Sequence, residues 1–206
     1  MSEILAPCGA QESLSAAVNA GADAVYLGEE YFSARKNADN FTAEQLCEAV
    51  RFCHYSGVKV YVTLNTLVFD REIPMLAKAI ENCAKADVDG FIVQDMGVAR
   101  LARQIVPELP LHASTQMTVN SPEGAVMAKK LGFTRVVLGR ELSFEQIKAI
   151  IDSCDIETEL FVHGALCVCV SGQCYMSSVL GGRSGNRGLC AQPCRLDFTS
   201  GDRHNV

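Results

Sequence analysis

The stretch "TAEQLCEAVRFCHYSGVKVYVTLNT", residues 42–66, contains the unit that decides the fold. Its first part predicts a helix, because Thr42 and Gln45 form a capping box and apolar residues then recur at helical spacing up to a terminating glycine. Its second part is apolar and β-branched, which predicts a buried strand that ends at the polar Asn65. A helix followed by a buried strand is the repeating unit of a parallel α/β sheet.

Six other short apolar runs predict buried strands of the same kind. Their starts lie about 20 to 35 residues apart, which is the length of one strand, one helix and two loops. Seven such strands predict an incomplete TIM-barrel-like (β/α) fold with about seven of the eight strands. The runs are "EILAP" (3–7), "ADAVYLG" (22–28), "VDGFIVQD" (88–95), "LPLHASTQ" (109–116), "FTRVVLGRE" (133–141) and "ETELFVHG" (157–164).

Polar residues follow the carboxyl end of nearly every predicted strand. A barrel gathers all these ends around one mouth, whereas an open sheet uses a single switch point, so the pattern favours the barrel. We therefore predict substrate contacts at the mouth, with Asp95 as a candidate for acid and base chemistry. The predicted substrate-binding residues at strand ends are Asn65, His112, Gln116 and Arg140. The barrel-like domain is expected to span 1–166, and a Cys-rich segment to span 167–206.

The composition is that of an ordinary folded protein. Of 206 residues, 49% are hydrophobic and 20% are charged, and the formal net charge of −6 argues against binding nucleic acid through the whole surface. The first residues carry no signal-peptide pattern, and no window is apolar enough to span a membrane. We therefore expect a cytoplasmic location with reduced thiols and no membrane partner.

Five of the ten cysteines lie between residues 163 and 195, in a stretch rich in Gly, Ser and Asn. Such a stretch has little regular backbone structure, which favours a metal centre as the element that holds it. Thiolates suit both zinc and iron-sulfur clusters. The irregular spacing fits a cluster better than the close pairs of a zinc ribbon, but it leaves zinc open.

The sequence around these cysteines resembles the signature of the family historically named peptidase U32. The resemblance rests on "ELFVHGALCVCVSGQCYMSS" (159–178) and "RSGNRGLCAQPCR" (183–195), and it extends to "LAPCG", "GADAVYLG" and "STQMTVNS" in the front part. It implies a barrel-like domain that serves oxygen-independent hydroxylation with a four-iron, four-sulfur cluster. The implied substrates are a pyrimidine of tRNA or rRNA, or a ubiquinone precursor, and prephenate is the implied hydroxyl donor for RNA.

By the same resemblance, the cluster ligands would be Cys167, Cys174 and Cys190. The fourth ligand of the family lies beyond the end of this chain. We therefore expect the sequence to be the front part of a longer enzyme, and such a part need not be active alone. The expected partners are RNA and a possible second subunit of the same family.

Two alternatives remain open. A peptidase would use Cys167 as nucleophile with His163 and Glu159, although positions four apart in an extended strand are spread over about 13 Å. A non-catalytic scaffold would simply bind zinc. Arg183 and Arg187 in the Cys-rich segment are further candidates for binding the carboxylates of a donor or an RNA phosphate.

Overall fold

The computed structural model describes residues 2–36, 38–200 and 203–204. Seven strands form one parallel sheet in which each strand pairs with the next along the chain. The predicted α/β architecture with seven strands is therefore confirmed. The strands are β1 (Leu5–Pro7), β2 (Ala24–Leu27), β3 (Lys59–Leu64), β4 (Gly90–Val93), β5 (Leu111–Ala113), β6 (Arg135–Val137) and β7 (Glu157–Glu159). Met1, Asn37, Gly201, Asp202, Asn205 and Val206 belong to the predicted segments but lie outside the described residues.

Helices connect the strands, as expected for right-handed βα units. A short helix and two 3-10 turns lie in the Cys-rich segment, followed by a two-stranded hairpin of β8 (Thr199–Ser200) and β9 (Arg203–His204). The helices are α1 (Gln11–Asn19), α2 (Ala43–Tyr55), α3 (Ile73–Lys85), α4 (Met96–Ile105), α5 (Pro122–Lys130), α6 (Phe144–Ser153) and α7 (Met176–Gly181). No helix of the described residues is long and apolar enough to cross a membrane.

The predicted helix caps are present. Thr42 Oγ1 accepts a hydrogen bond from the Gln45 amide at 3.3 Å, and the Gln45 side chain accepts one from the Thr42 amide at 2.9 Å. The same exchange joins Ser143 and Gln146 at the start of α6. Each cap satisfies donors that a helix start leaves unpaired, and loss of such a cap costs about 1 kcal/mol.

The two faces of the sheet carry different side chains. On β3, Val60, Val62 and Leu64 are fully buried in the main apolar core. Each of these aliphatic side chains stabilises the fold by about 1.5–3 kcal/mol on burial. Tyr61 and Thr63 alternate with them and point to the opposite face, where Tyr61 packs with residues of β2 and β4. This opposite face forms the interior of the curled sheet.

The sheet curls so strongly that its two ends meet through side chains. In a flat sheet β1 and β6 would lie about 24 Å apart, at about 4.8 Å per strand. Glu3, just before β1, nevertheless reaches Arg135 of β6, with 2.8 Å between Glu3 Oε1 and Arg135 Nη1. The fold is therefore a curled, TIM-barrel-like half-barrel with its concave side inward.

The last strand is shorter than its sequence suggests. The sequence predicts a strand through residues 157–164, but β7 ends at Glu159, and Leu160, Phe161 and Val162 are 40%, 45% and 97% exposed. In the described residues β7 pairs only with β6. An apolar run at such an edge has one neighbour instead of two, so it leaves the sheet earlier than a central strand.

Candidate active site at the carboxyl face

A cavity of about 270 Å³ opens where the carboxyl ends of the strands converge. This is the face on which barrel proteins of this type place their chemistry. The walls combine aromatic rings, hydroxyl and amide groups, two guanidinium groups and one carboxyl group. The lining residues are Tyr26, Arg35, Thr63, Asn65, Ile92, Ser114, Thr115, Gln116, Val137, Arg140, Glu159 and Phe161.

The backbone fixes several of these polar groups in place. Asn65 Oδ1 accepts a hydrogen bond from the Ala34 amide at 2.8 Å, which joins the loop after β3 to the loop after β2. Ser114 follows β5 directly and accepts the Gln116 amide at 3.3 Å, which starts a 3-10 turn. These side chains are thus placed by short, hydrogen-bonded turns at the strand ends, which favours a preorganised site.

Glu159 is the single carboxyl group in the cavity wall. Its side chain is 17% exposed, and its Oε2 forms no hydrogen bond within the described residues. Burial raises the pKa of Glu159 to about 7, against the opposing effect of the Arg135 guanidinium at 3.6 Å. A carboxyl group with this pKa exchanges its proton near neutral pH, as general acids and bases do.

Two arginines face the cavity without a carboxylate partner among the described residues. Arg140 donates to the Ala165 carbonyl and to Cys167 Sγ, both at 3.2 Å, and stacks over the ring of Phe161. Arg35 lies 5.8 Å from the centre of the Tyr26 ring. Unpaired guanidinium groups in a concave site attract anions, and their planar shape suits carboxylates and phosphates.

The Cys-rich segment is docked across the carboxyl face by ion pairs and hydrogen bonds. Arg187 holds Glu72 through two 2.7 Å contacts and also donates to the Leu67 carbonyl at 2.7 Å. This pairing lowers the pKa of Glu72 to about 2. At the other side, Ser171 donates to Glu141 through both its amide, at 3.0 Å, and its hydroxyl, at 2.8 Å. The segment therefore contacts the loops after both β3 and β6.

At two glycines, the backbone of the Cys-rich segment packs directly against backbone atoms of the loops at the carboxyl face. A side chain at Gly172 would overlap the carbonyl oxygen of Gln116, and a Cβ at Gly188 would lie 2.5 Å from the carbonyl oxygen of Ser33. Both glycines have positive φ angles, +81° and +75°. Only glycine combines this conformation with such close approach.

The predicted cluster ligands lie in this docked segment. Cys167 contacts Arg140 at the rim of the cavity, while Cys174 and Cys190 both flank Gly185. Cys167 and Cys190 are exposed, Cys174 is half-buried, and all three thiols are free. Three cysteine thiols are suitable ligands for a soft metal ion or an iron-sulfur cluster. In the described residues, however, no three Cys, His, Asp or Glu side chains are gathered closely enough to hold a metal ion.

The structure brings some of the other predicted site residues together and separates the rest. Asn65, Gln116, Arg140 and Glu159 share the cavity. His112 lies in the buried interior against Tyr61, with 4.6 Å between ring centres, and burial lowers its pKa to about 3. It is therefore neutral at physiological pH.

Three more predicted residues lie outside the cavity wall. Asp95 caps α4, where its carboxylate accepts the Gly97 amide at 2.7 Å and the Val68 amide at 3.2 Å. His163 is exposed and forms no side-chain hydrogen bond in the described part of the chain. Arg183 donates to the Leu189 carbonyl at 3.1 Å. Their predicted roles stay predictions.

Sequence reasoning did not single out Arg35 and Thr63. Thr63 is on β3, two positions before Asn65, which follows the strand directly, so alternation would have placed both on the same face. Arg35 lies in an irregular stretch between β2 and α2. Such a stretch has no periodicity from which a side-chain direction can be predicted.

Comparison with curated proteins gives several relatives of high identity. The 23S rRNA 5-hydroxycytidine C2501 synthase of Escherichia coli is 44% identical over 200 residues, which cover 97% of this chain and 30% of that protein. The tRNA hydroxylation protein P1 of Bacillus subtilis is 39% identical, with coverage of 95% and 46%. The collagenase of Porphyromonas gingivalis is 38% identical, with coverage of 98% and 51%. The chain thus spans about half or less of the length of these relatives.

Comparison with solved structures agrees with the fold. A U32 peptidase superposes with a TM-score of 0.67 at 19% identity, over 78% of this chain and 68% of that chain. At this identity the likeness shows the architecture alone. The sequence model of peptidase family U32 matches residues 9–205, which is almost the whole chain. The chain belongs to peptidase family U32.

Proposed function

We propose that this chain forms the barrel part of an enzyme that hydroxylates a pyrimidine in tRNA or rRNA. The observation that carries the proposal is the cavity at the carboxyl face, with the thiol-bearing segment docked beside it, in a chain 44% identical to a named rRNA 5-hydroxycytidine synthase. A hydroxylase that acts on a base must take that base out of its stack. A cavity with aromatic and amide groups is suited to receive one.

An iron-sulfur cluster is the proposed cofactor, with Cys167, Cys174 and Cys190 as its ligands in this chain. Free thiols of the docked segment support this choice, because thiolates are the ligands that such clusters use. The fourth ligand would come from another part of the protein. When bound, the cluster would supply one-electron chemistry. Because the three thiols are not gathered in the described residues, cluster binding would also require the segment that carries them to rearrange.

The hydroxyl group is proposed to come from a small organic acid of the prephenate type. The C–O bond of the donor breaks, a C–O bond to the base carbon forms, and the hydrogen of that carbon ends on the donor. The base thus loses two electrons and the donor gains them. Arg35 and Arg140 would bind the donor carboxylates, because neither has a carboxylate partner among the described residues.

Glu159 would move the proton that this exchange requires. Its carboxyl group lies in the same cavity as the two arginines, and its pKa of about 7 lets it gain or lose a proton at neutral pH. Asn65 and Gln116 offer hydrogen bonds to the edge of a base. The apolar faces of Tyr26 and Phe161 would exclude water from the reacting atoms.

Deleting the gene in its own organism is expected to remove one hydroxylated pyrimidine from tRNA or from rRNA. Nucleosides from purified tRNA and rRNA would be compared by mass spectrometry. Reintroduction of the wild-type gene should restore the modified nucleoside, whereas an Arg140→Met variant should not. An unchanged nucleoside profile in both RNA classes would contradict the proposed function.

Replacing Cys167, Cys174 or Cys190 by alanine is expected to remove most of the iron and sulfide from anaerobically purified protein, because each substitution removes a cluster ligand. The matched control is Cys169→Ala, which removes an exposed thiol from the same loop and should leave the iron content unchanged. Stoichiometric zinc without iron would instead support the scaffold alternative. Equal iron in all four variants would exclude the proposed ligands.

The peptidase alternative is supported by the collagenase relative. In the described structure, however, Cys167 Sγ accepts a hydrogen bond from Arg140, while neither His163 nor Glu159 hydrogen bonds to it. A thiol nucleophile needs a base within hydrogen-bond reach. Cleavage of gelatin by the purified protein, lost in a Cys167→Ala variant, would favour the peptidase over the hydroxylase.

A further inference from the structure

One buried guanidinium group inside the curled sheet, that of Arg135, is shared by three carboxyl groups, of which Glu159 lines the cavity. Arg135 on β6 places Nε 2.9 Å and Nη2 2.8 Å from Glu157 Oε2. Its Nη1 lies 2.8 Å from Glu3 Oε1 but 3.6 Å from Glu159 Oε2. Nε and Nη2 therefore both pair with Glu157, and Nη1 is the one nitrogen that faces both Glu3 and Glu159.

Glu3 is itself held in place from the other side of the curled sheet. Lys59 Nζ lies 3.1 Å from Glu3 Oε2, and the Tyr61 hydroxyl donates to Glu3 at 3.3 Å. Both residues belong to β3, which fixes the Glu3 carboxylate independently of Arg135. Burial opposes ionisation of Glu3, but hydrogen bonds from Arg135 and Lys59 outweigh it and lower the pKa of Glu3, so its carboxylate is charged when it meets Nη1.

Because Nη1 of Arg135 pairs with Glu3, the Glu159 carboxyl group receives no hydrogen bond from that nitrogen. Its Oε2 is buried and accepts no hydrogen bond in the described residues, although an arginine lies nearby. The other ionisable groups that line the same cavity are Tyr26 from β2, Arg35 from the loop after β2, and Arg140 from the loop after β6. None of them hydrogen bonds to the Glu159 carboxyl group. Its ionised form is thus poorly compensated.

We propose that Glu3 is a positioning residue for Glu159, because it holds Nη1 of Arg135 and so keeps that nitrogen from pairing with the cavity carboxyl group. Glu3 thereby favours the protonated form of Glu159, which can donate a hydrogen bond into the cavity. Only the use of this proton in RNA hydroxylation rests on the proposed function. The competition for Nη1 is a property of the fold and is measured without substrate.

Replacing Glu3 by glutamine is expected to lower the pKa of Glu159 by about 1 unit or more, because Nη1 becomes free to pair with it. The readout is the carboxyl ¹³C chemical shift of Glu159 against pH in purified protein with labelled glutamate, assigned with a Glu159→Gln variant. The matched control is Glu157→Gln, which removes a carboxylate from the other edge of Arg135. It should shift the pKa of Glu159 by less than half as much.

A second variant separates geometry from charge. Glu3→Asp keeps the negative charge but withdraws the carboxylate by one methylene group, so it should also lower the pKa of Glu159. It further serves as the test if the glutamine variant does not fold. An unchanged or raised pKa of Glu159 in the Glu3 variants, or an equal shift in Glu157→Gln, would overturn the proposal. Loss or retention of RNA hydroxylation in cells bears on the proposed function alone.

Discussion

Replacing Gly172 or Gly188 by alanine is expected to release the Cys-rich segment from the carboxyl face. Alanine at a positive φ costs about 1–2 kcal/mol, and the added Cβ would also overlap the carbonyl oxygen of Gln116 or Ser33. Carbonyl groups of the barrel backbone cannot withdraw as a flexible side chain can. Hydrogen exchange of amides in residues 165–195 should accelerate at least about tenfold, which corresponds to about 1.4 kcal/mol of docking free energy.

Gly182→Ala is the matched control for this prediction. Gly182 lies in the same segment at φ +66°, but nothing lies within 4 Å of a Cβ placed there. This variant carries the conformational cost without the overlap, so it should accelerate exchange only at its own turn. Similar acceleration in the Gly182 and Gly172 variants would show that close backbone contact does not hold the segment.

A Glu159→Gln variant is expected to be more stable than the wild type at pH 8 by up to about 3 kcal/mol. Burial raises the pKa of Glu159 from 4.5 to about 7 in the folded protein. Between these values the folded state binds a proton that the unfolded state has lost, so stability falls as pH rises through this window. Glutamine avoids the cost of ionising a buried carboxyl group, at 1.36 kcal/mol for each pKa unit.

Urea unfolding at pH 5 and pH 8 would measure the effect. The difference between variant and wild type should shrink to less than about 1 kcal/mol at pH 5, where the folded wild type is already protonated. Glu108→Gln, which removes an exposed carboxylate, should change stability little at either pH. A stability difference that does not depend on pH would contradict the assignment of a raised pKa to Glu159.

The sheet and a third of the residues that line the cavity were predictable because they follow from local pattern. Strand β3 is recognised by its run of β-branched residues. Parallel strands bring their carboxyl ends to one face regardless of the conformation of the loops between them. The strand-end pattern therefore predicts that Asn65, Gln116 and Arg140 share one site, as they do in the cavity. The shortened β7 was missed because its length depends on a neighbouring strand rather than on its own residues.

Contacts between distant positions could not be predicted. Glu72 and Arg187 are 115 positions apart, so no local pattern joins them, and Arg187 was considered only as a substrate-binding residue. The competition of Glu3 and Glu159 for Arg135 likewise depends on the curl that brings β1 to β6. Arg35 belongs to the cavity through the path of an irregular loop. These contacts are determined by the curl of the sheet and the paths of its loops.

The distribution of thiols between core and surface gives the protein two classes of cysteine with different exposure to oxidants. Oxidation of a thiol to sulfenic acid requires that the oxidant reach the sulfur atom. Peroxide or air should therefore damage the exposed metal-ligand candidates Cys167 and Cys190 first and leave the buried cysteines intact, so that a fully folded protein can already have lost its chemistry. The buried thiols are Cys8, Cys53 and Cys83, and the exposed ones are Cys167, Cys169, Cys190 and Cys194.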